Sequence, residues 1–261
     1  MTQPELAIDL QGVSKKFGSE LVLDGVDLEV PAGEITVLLG PSGAGKTVTI
    51  KHILGLIRPT KGFVRIEGQN LSSLDDDQLN DVRRGLSAVL QGTLPFSCGL
   101  FFSLDVFENV AFPLRDRTRW PEERIEEVTM ARLGEVGLRD QARLMPEQLS
   151  SGMAKRVALA RALALEARIV IIDDFDSGID GVRLALLCDL IRDTQRSTGA
   201  TYLLTTHDMS AARKLADHVA VIHEGRTVAG GPADEVFGSS EPIARQLVSG
   251  GTEGPIQLRD A

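Results

Sequence analysis

Glu34-Ile35-Thr36-Val37-Leu38-Leu39-Gly40-Pro41-Ser42-Gly43-Ala44-Gly45-Lys46-Thr47 is a short apolar run that stops abruptly at a glycine-rich turn. A run this short and this apolar predicts a buried strand. Beyond Gly45, apolar residues recur at helical spacing in KTVTIKHILGLI, at Val48, Ile50, Ile53, Leu54 and Ile57. Strand, glycine loop and helix in that order form the context that a phosphate-binding loop requires, and residues 40–47 fit its pattern G-x-x-x-x-G-K-[ST]. The glycines let backbone N–H groups turn inward around phosphates, and the helix starting at Gly45 points its positive dipole end at them. Lys46 supplies a mobile positive charge for β- and γ-phosphates, and the Thr47 hydroxyl suits Mg²⁺. Gly40, Pro41, Ser42, Gly43, Ala44, Gly45, Lys46 and Thr47 are therefore the candidate phosphate contacts.

Working outward, LAIDLQGVSKKF and LVLDGVDLEV alternate as strands before this loop. From about Asp75 to Ala142 the composition turns charged, and RDRTRWPEERIEEVTMARLGEVGL reads as amphipathic helices joined by Pro and Gly. Residues 92–160 are expected to form a helical insertion. Alternation of strand and helix then resumes with ARIVIID, a helix through LALLCDLIRDTQRS, the strand TYLLTT, a helix over SAARKLADH and a hairpin in VAVIHEGRTVAGG. The last twenty residues, rich in Gly and polar groups, read as a docked or mobile tail.

The chain has 261 residues, 43% hydrophobic and 4% aromatic, which predicts an aliphatic core in one large domain or in a core with a subdomain. A net charge of −9 argues against broad electrostatic capture of nucleic acid or anionic lipid, so no nucleic-acid partner is expected. Cys98 and Cys188 stand ninety residues apart with no zinc-finger spacing, which supports neither a disulfide framework nor a structural zinc. No apolar window approaches a membrane span, and MTQPELAIDL has neither the basic head nor the apolar run of a signal peptide. A cytoplasmic chain is the expectation.

A second acidic site ends the run Ile169-Val170-Ile171-Ile172-Asp173-Asp174. Consecutive β-branched residues belong to a strand buried on both faces, and ionised carboxylates at its end need a cation or hydrogen-bond donors. Asp173 suits Mg²⁺ through water, and Asp174 is placed to hold an attacking water. One phosphate loop with one acidic strand end is compatible with a kinase, a GTPase or a transport ATPase. The stretch Leu149-Ser150-Ser151-Gly152-Met153, followed by the helix AKRVALARALAL and the acidic strand, narrows the choice. It resembles the LSGGQ signature of the ATP-binding cassette (ABC) family, and the resemblance extends in order over almost the whole chain.

That resemblance implies an α/β fold with a phosphate-loop NTPase core, an antiparallel β subdomain and a helical insertion. It implies a single ATPase domain over residues 1–250 and a tail over 251–261. It places Phe17 against adenine, Gln91 at Mg²⁺ and the attacking water, His207 at the γ-phosphate and Ser177-Gly178-Ile179-Asp180 at a dimer interface. It assigns Asp174, His207 and Gln91 to catalysis, Thr47, Gln91 and Asp173 to Mg²⁺, and Ser150 and Gly152 to a second subunit's ATP. The implied partners are a second copy or paired ATPase, an integral membrane permease and a small regulatory subunit, which would hold the chain at the cytoplasmic face of the membrane. His52, His218 and His223 carry only surface or packing readings.

Three segments depart from the family pattern. Asp174 followed by Phe175 stands where the family has Glu followed by Pro, Ser151 and Met153 stand for Gly and Gln in the signature, and Gly181 stands where Pro is common. Asp shortens the reach of Glu by about 1.5 Å, and displacements of about 1 Å can cost on the order of a hundredfold in rate, so slow hydrolysis is expected. The Cβ of Ser151 is the feature expected to disturb a close approach to phosphate. SSGMAKRVALARALAL, SLDVFENVAFPLRDRT and the tail RQLVSGGTEGPIQLRD resemble the ATPases of Mla and Mce lipid-transport systems, which implies a lipid or other hydrophobic cargo. Phe96, Phe101 and Phe102, within the longer segment GTLPFSCGLFF, are expected to form an interaction surface. The alternative is a soluble or regulatory ABC ATPase with weak hydrolysis.

Overall fold

The computed structural model describes residues 5–90 and 99–257. Strands β1 (Leu6–Phe17) and β2 (Glu20–Pro31) form an antiparallel hairpin, and β3 (Ile35–Leu39) leads through the glycine loop to helix α1 (Lys46–Ile53). The helical spacing that extends to Ile57 outruns α1, because Gly55 takes φ 64° just past its end. Next come β4 (Lys61–Ile66), β5 (Gln69–Asn70), α2 (Asp76–Arg84) and β6 (Leu86–Val89). Three helices follow, α3 (Val106–Arg117), α4 (Glu122–Glu135) and α5 (Ser151–Ala164). The chain then alternates through β7 (Ile169–Ile172), α6 (Gly181–Thr198), β8 (Thr201–Thr205), α7 (Met209–Leu215), β9 (His218–His223) and β10 (Arg226–Pro232), and closes with α8 (Ala233–Phe237) and α9 (Pro242–Ser249).

Two sheets organise these elements. One is antiparallel, in the order β2-β1-β4-β5. The other runs β10-β9-β3-β8-β7-β6, with parallel pairing throughout except at the edge hairpin β9–β10. Every residue of β3, β7 and β8 is buried, as continuous apolar strands covered on both faces require. Their side chains alternate between two cores. Ile35, Val37, Val170, Ile172, Tyr202 and Leu204 pack on the side of α3, α5 and α6, whereas Leu38, Ile171 and Leu203 face α1 and the antiparallel sheet.

Two expectations change here. The helix expected over residues 210–218 stops at Leu215, because Asp217 accepts the Ile35 N–H (2.9 Å) and pairs with Arg192 (3.0 Å), and His218 already stands opposite Thr36 in the sheet. Sheet pairing outweighs local helical pattern at that point. The last twenty residues begin with α9, capped by the Glu241 carboxylate, which accepts the Ala244 N–H (2.6 Å). Beyond it, Gln246 exchanges two hydrogen bonds with the Ile256 backbone (2.7 and 2.9 Å), so the described part of the tail is docked.

Candidate functional site

The parallel strands β3, β8 and β7 lie side by side and end on one edge, where ligands of open α/β sheets bind. Here a cleft of about 330 Å³ is lined by residues 42–48, Val22, Asp173, Asp174, Thr205 and His207. The loop is held by its own backbone. A Cβ on Gly40 would stand 2.2 Å from the Ile222 carbonyl oxygen, so only glycine lets the chain leave β3 this close to β9. Lys46 is buried, and its ammonium donates to the Gly40 (2.7 Å) and Pro41 (3.0 Å) carbonyls. Burial pushes its pKa below the ordinary lysine range, while Asp173, Asp174 and Asp176 pull it back up.

The acidic strand end meets this loop directly. The Thr47 hydroxyl donates to Asp173 Oδ2 (2.8 Å), and the Thr205 hydroxyl donates to Asp173 Oδ1 (2.7 Å). The same Thr205 oxygen accepts the Asp174 N–H (2.7 Å), so one residue at the end of β8 orients both aspartates. Two hard oxygen donors, Thr47 Oγ1 and Asp173 Oδ2, thus lie side by side at the mouth of the loop, a donor set that fits Mg²⁺. Asp174 is buried and takes φ 57°, a left-handed conformation that Asp enters more readily than most side chains. Lys155 on α5 donates to its carbonyl (2.7 Å) and pairs with its carboxylate (3.5 Å). The exposed His207 donates its backbone N–H to the Asp176 carboxylate (3.1 Å).

Ser150 caps α5, its hydroxyl accepting the Met153 N–H (3.3 Å). Neither Ser150 nor Gly152 lines the cleft of its own subunit. The residue that must be glycine in this segment is Gly152, whose added Cβ would approach the Gly178 carbonyl oxygen to 2.8 Å, whereas Ser151 is exposed. Phe17 lies at the tip of the β1–β2 hairpin, 46% exposed, with the Lys15 ammonium over its ring (5.3 Å), and it stands outside the cleft lining to which its hairpin contributes Val22. Gln91 and Phe96 lie outside the described residues. Phe101 and Phe102 are each 47% exposed, and Phe101 meets Phe112 edge to face at 5.4 Å.

Of the histidines without a site reading, His52 is fully buried on α1, with Nδ1 2.8 Å from the Val48 carbonyl, and His218 pairs with Glu34 (3.1 Å). Three residues escape sequence reasoning: Thr205, which lines the cleft, and Asp176 and Lys155, which bond to His207 and Asp174 of its lining. Thr205 and Asp176 are one Thr and one Asp among many, and Lys155 sits in an ordinary helical pattern. The only available signal is positional: Thr205 closes the apolar strand TYLLT as Asp173 closes IVII, and parallel pairing of those strands brings the two ends together.

Comparison with known proteins agrees with this geometry. The ABC transporter family profile matches residues 23–177. The chain is 38% identical over 255 residues to the probable ribonucleotide transport ATP-binding protein mkl of Mycobacterium leprae, covering 98% of this chain and 72% of that one. It is 36% identical to the intermembrane phospholipid transport system ATP-binding protein MlaF of Escherichia coli, covering 97% of this chain and 92% of the relative. Among solved structures, the dimeric ATP-binding cassette MJ0796 in a post-hydrolysis state with ADP and Pi superposes with a TM-score of 0.78 at 30% identity, over 86% of this chain and 98% of that one.

Proposed function

This chain belongs to the ABC transporter family as an ATPase subunit, and we propose that two copies close around two ATP molecules to drive a separate permease that moves a phospholipid or another hydrophobic molecule. The observation that carries the reading of the site is the 2.8 Å bond from Thr47 to Asp173, which joins the phosphate loop and the acidic strand end in one cleft. Backbone N–H groups of residues 40–47 and the Lys46 ammonium receive the phosphates, in the manner of a helix N-terminus binding an anion. Thr47 and Asp173 hold Mg²⁺, with Gln91 as a further contact; the ion neutralises phosphate charge when bound. Asp174 holds the attacking water, His207 touches the γ-phosphate, and Phe17 at the hairpin tip stacks on adenine. Ser150 and the Gly152 N–H of the second copy cap the same γ-phosphate, so ATP joins the two subunits and its hydrolysis lets them part.

Among the described residues no helix is long and apolar enough to cross a membrane. The membrane component is therefore assigned to the permease, which holds this chain at the cytoplasmic face. Phe101 and Phe112, which meet edge to face, and the exposed Phe102 next to Phe101 in sequence are assigned to that contact. The phospholipid cargo rests on the similarity to MlaF, and a small regulatory subunit belongs to the same reading. Purification of the tagged chain from membranes tests it. A polytopic permease should co-purify, ATP-dependent phosphate release should require Lys46, and bound phospholipid should be found in the complex. Phe101→Ser with Phe102→Ser should remove the permease while ATP binding persists; undiminished co-purification would assign the contact elsewhere.

A further inference from the structure

Helix α5 carries two functions at once. Its N-terminal turn presents Ser150 and Gly152, and five residues on, about 7.5 Å along the axis, Lys155 turns back into its own subunit. The Lys155 ammonium lies 2.7 Å from the Asp174 carbonyl oxygen and 3.5 Å from its carboxylate, with the two side chains only 16% and 10% exposed. Leu159, Ile172, Phe175, Ile179 and Leu187 line the same small cavity. An ammonium among such neighbours is costly unless it is paired, and here one group holds both the carbonyl and the carboxylate of a single residue. That residue has the left-handed backbone and the short side chain, so its carboxylate has little reach of its own with which to correct an error in direction.

We infer that Lys155 is a positioning residue that ties the Asp174 carboxylate to the helix whose first turn meets the partner subunit's ATP. This rests on the assignments of Asp174 to the attacking water and of Ser150 and Gly152 to the second subunit's nucleotide. A helix segment of that length is rigid, so a shift of α5 on capping a γ-phosphate reaches Asp174 through one ammonium. The carboxylate of one site then responds to the nucleotide of the other.

The full chain with its co-purified permease provides the test, through steady-state hydrolysis by Lys155→Met, Lys155→Arg, Asp174→Asn and the pair Ser150→Ala/Lys155→Met. Lys155→Met should lower kcat about tenfold with KM for ATP unchanged, since a misdirected group costs rate rather than binding. Lys155→Arg should restore most of that loss. The double variant should lose less than the product of the two single losses, because both act through α5. Wild-type or faster turnover in Lys155→Met, equal loss in Lys155→Arg, or strictly multiplicative losses would each overturn the inference. If Asp174→Asn hydrolyses ATP normally, the underlying assignment of Asp174 fails; if Asp174→Asn is inactive while Lys155→Met is not, the tether alone fails.

Discussion

The phosphate loop and the acidic edge it faces are built on opposite principles. The loop is one contiguous segment whose own bonds span five or six residues, from Lys46 to Pro41 and Gly40, and its shape depends on backbone freedom and on what a Cβ would strike. The acidic edge is assembled from side chains that meet across 19 to 126 residues of sequence: Lys155 with Asp174, Thr205 with both aspartates, Thr47 with Asp173. Binding a polyphosphate needs many weak donors in a fixed curve, which a local loop supplies. Directing one water needs a few groups set by neighbours, which only the assembled sheet supplies. Substitutions should therefore damage the loop through packing and the edge through geometry.

The largest effect is expected at the loop. Gly40→Ala places a methyl 2.2 Å from a backbone oxygen that cannot move without shifting β9, and should cost about 3 kcal/mol in stability together with ATP binding. Urea unfolding of the purified variant measures it; an unchanged midpoint would show that the loop yields. At the edge, Thr205→Val removes the hydroxyl that orients both aspartates, at a cost of about 2 kcal/mol from the unpaired Asp174 N–H and Asp173 oxygen. Its hydrolysis should fall more than its ATP affinity, and an equal fall in both would erase the distinction between the two regions.

The smallest effect concerns His52, buried on the helix that follows the loop. Burial holds its imidazole below the ordinary pKa of 6.5, and Nε2 has no partner among the described residues. The unfolded chain takes up a proton near 6.5 while the folded chain stays neutral, so stability falls as the pH drops below 6.5 and levels off below the folded value. Denaturation curves between pH 7 and 5 should show this slope in the wild type and a flatter one in His52→Gln; parallel curves would place the titration elsewhere.

The same contrast explains what could be read in advance. Short apolar runs and glycine spacing mark β3, β7, β8 and the phosphate loop, because their causes are local. The helix expected over residues 210–218 runs past Leu215 because Ala216, Asp217 and His218 follow it without a breaker, and pairing with β3 is what recruits His218 into a strand. The close approach of Gly152 to the Gly178 carbonyl is hidden in the sequence, because it joins segments 26 residues apart. Asp176 and Lys155 carry no signal, and Thr205 carries only its place at the end of TYLLT, since each acquires meaning from the strand ends beside it. The Asp174 backbone at φ 57° likewise becomes visible only in the folded chain.

The most direct test of the account separates binding from hydrolysis at these two regions. Equilibrium ATP binding and phosphate release are measured side by side for Lys46→Ala and Asp174→Asn. Lys46→Ala should lose both, whereas Asp174→Asn should keep ATP binding and lose hydrolysis by roughly a hundredfold or more. Phosphate release by Asp174→Asn at the wild-type rate would contradict the account.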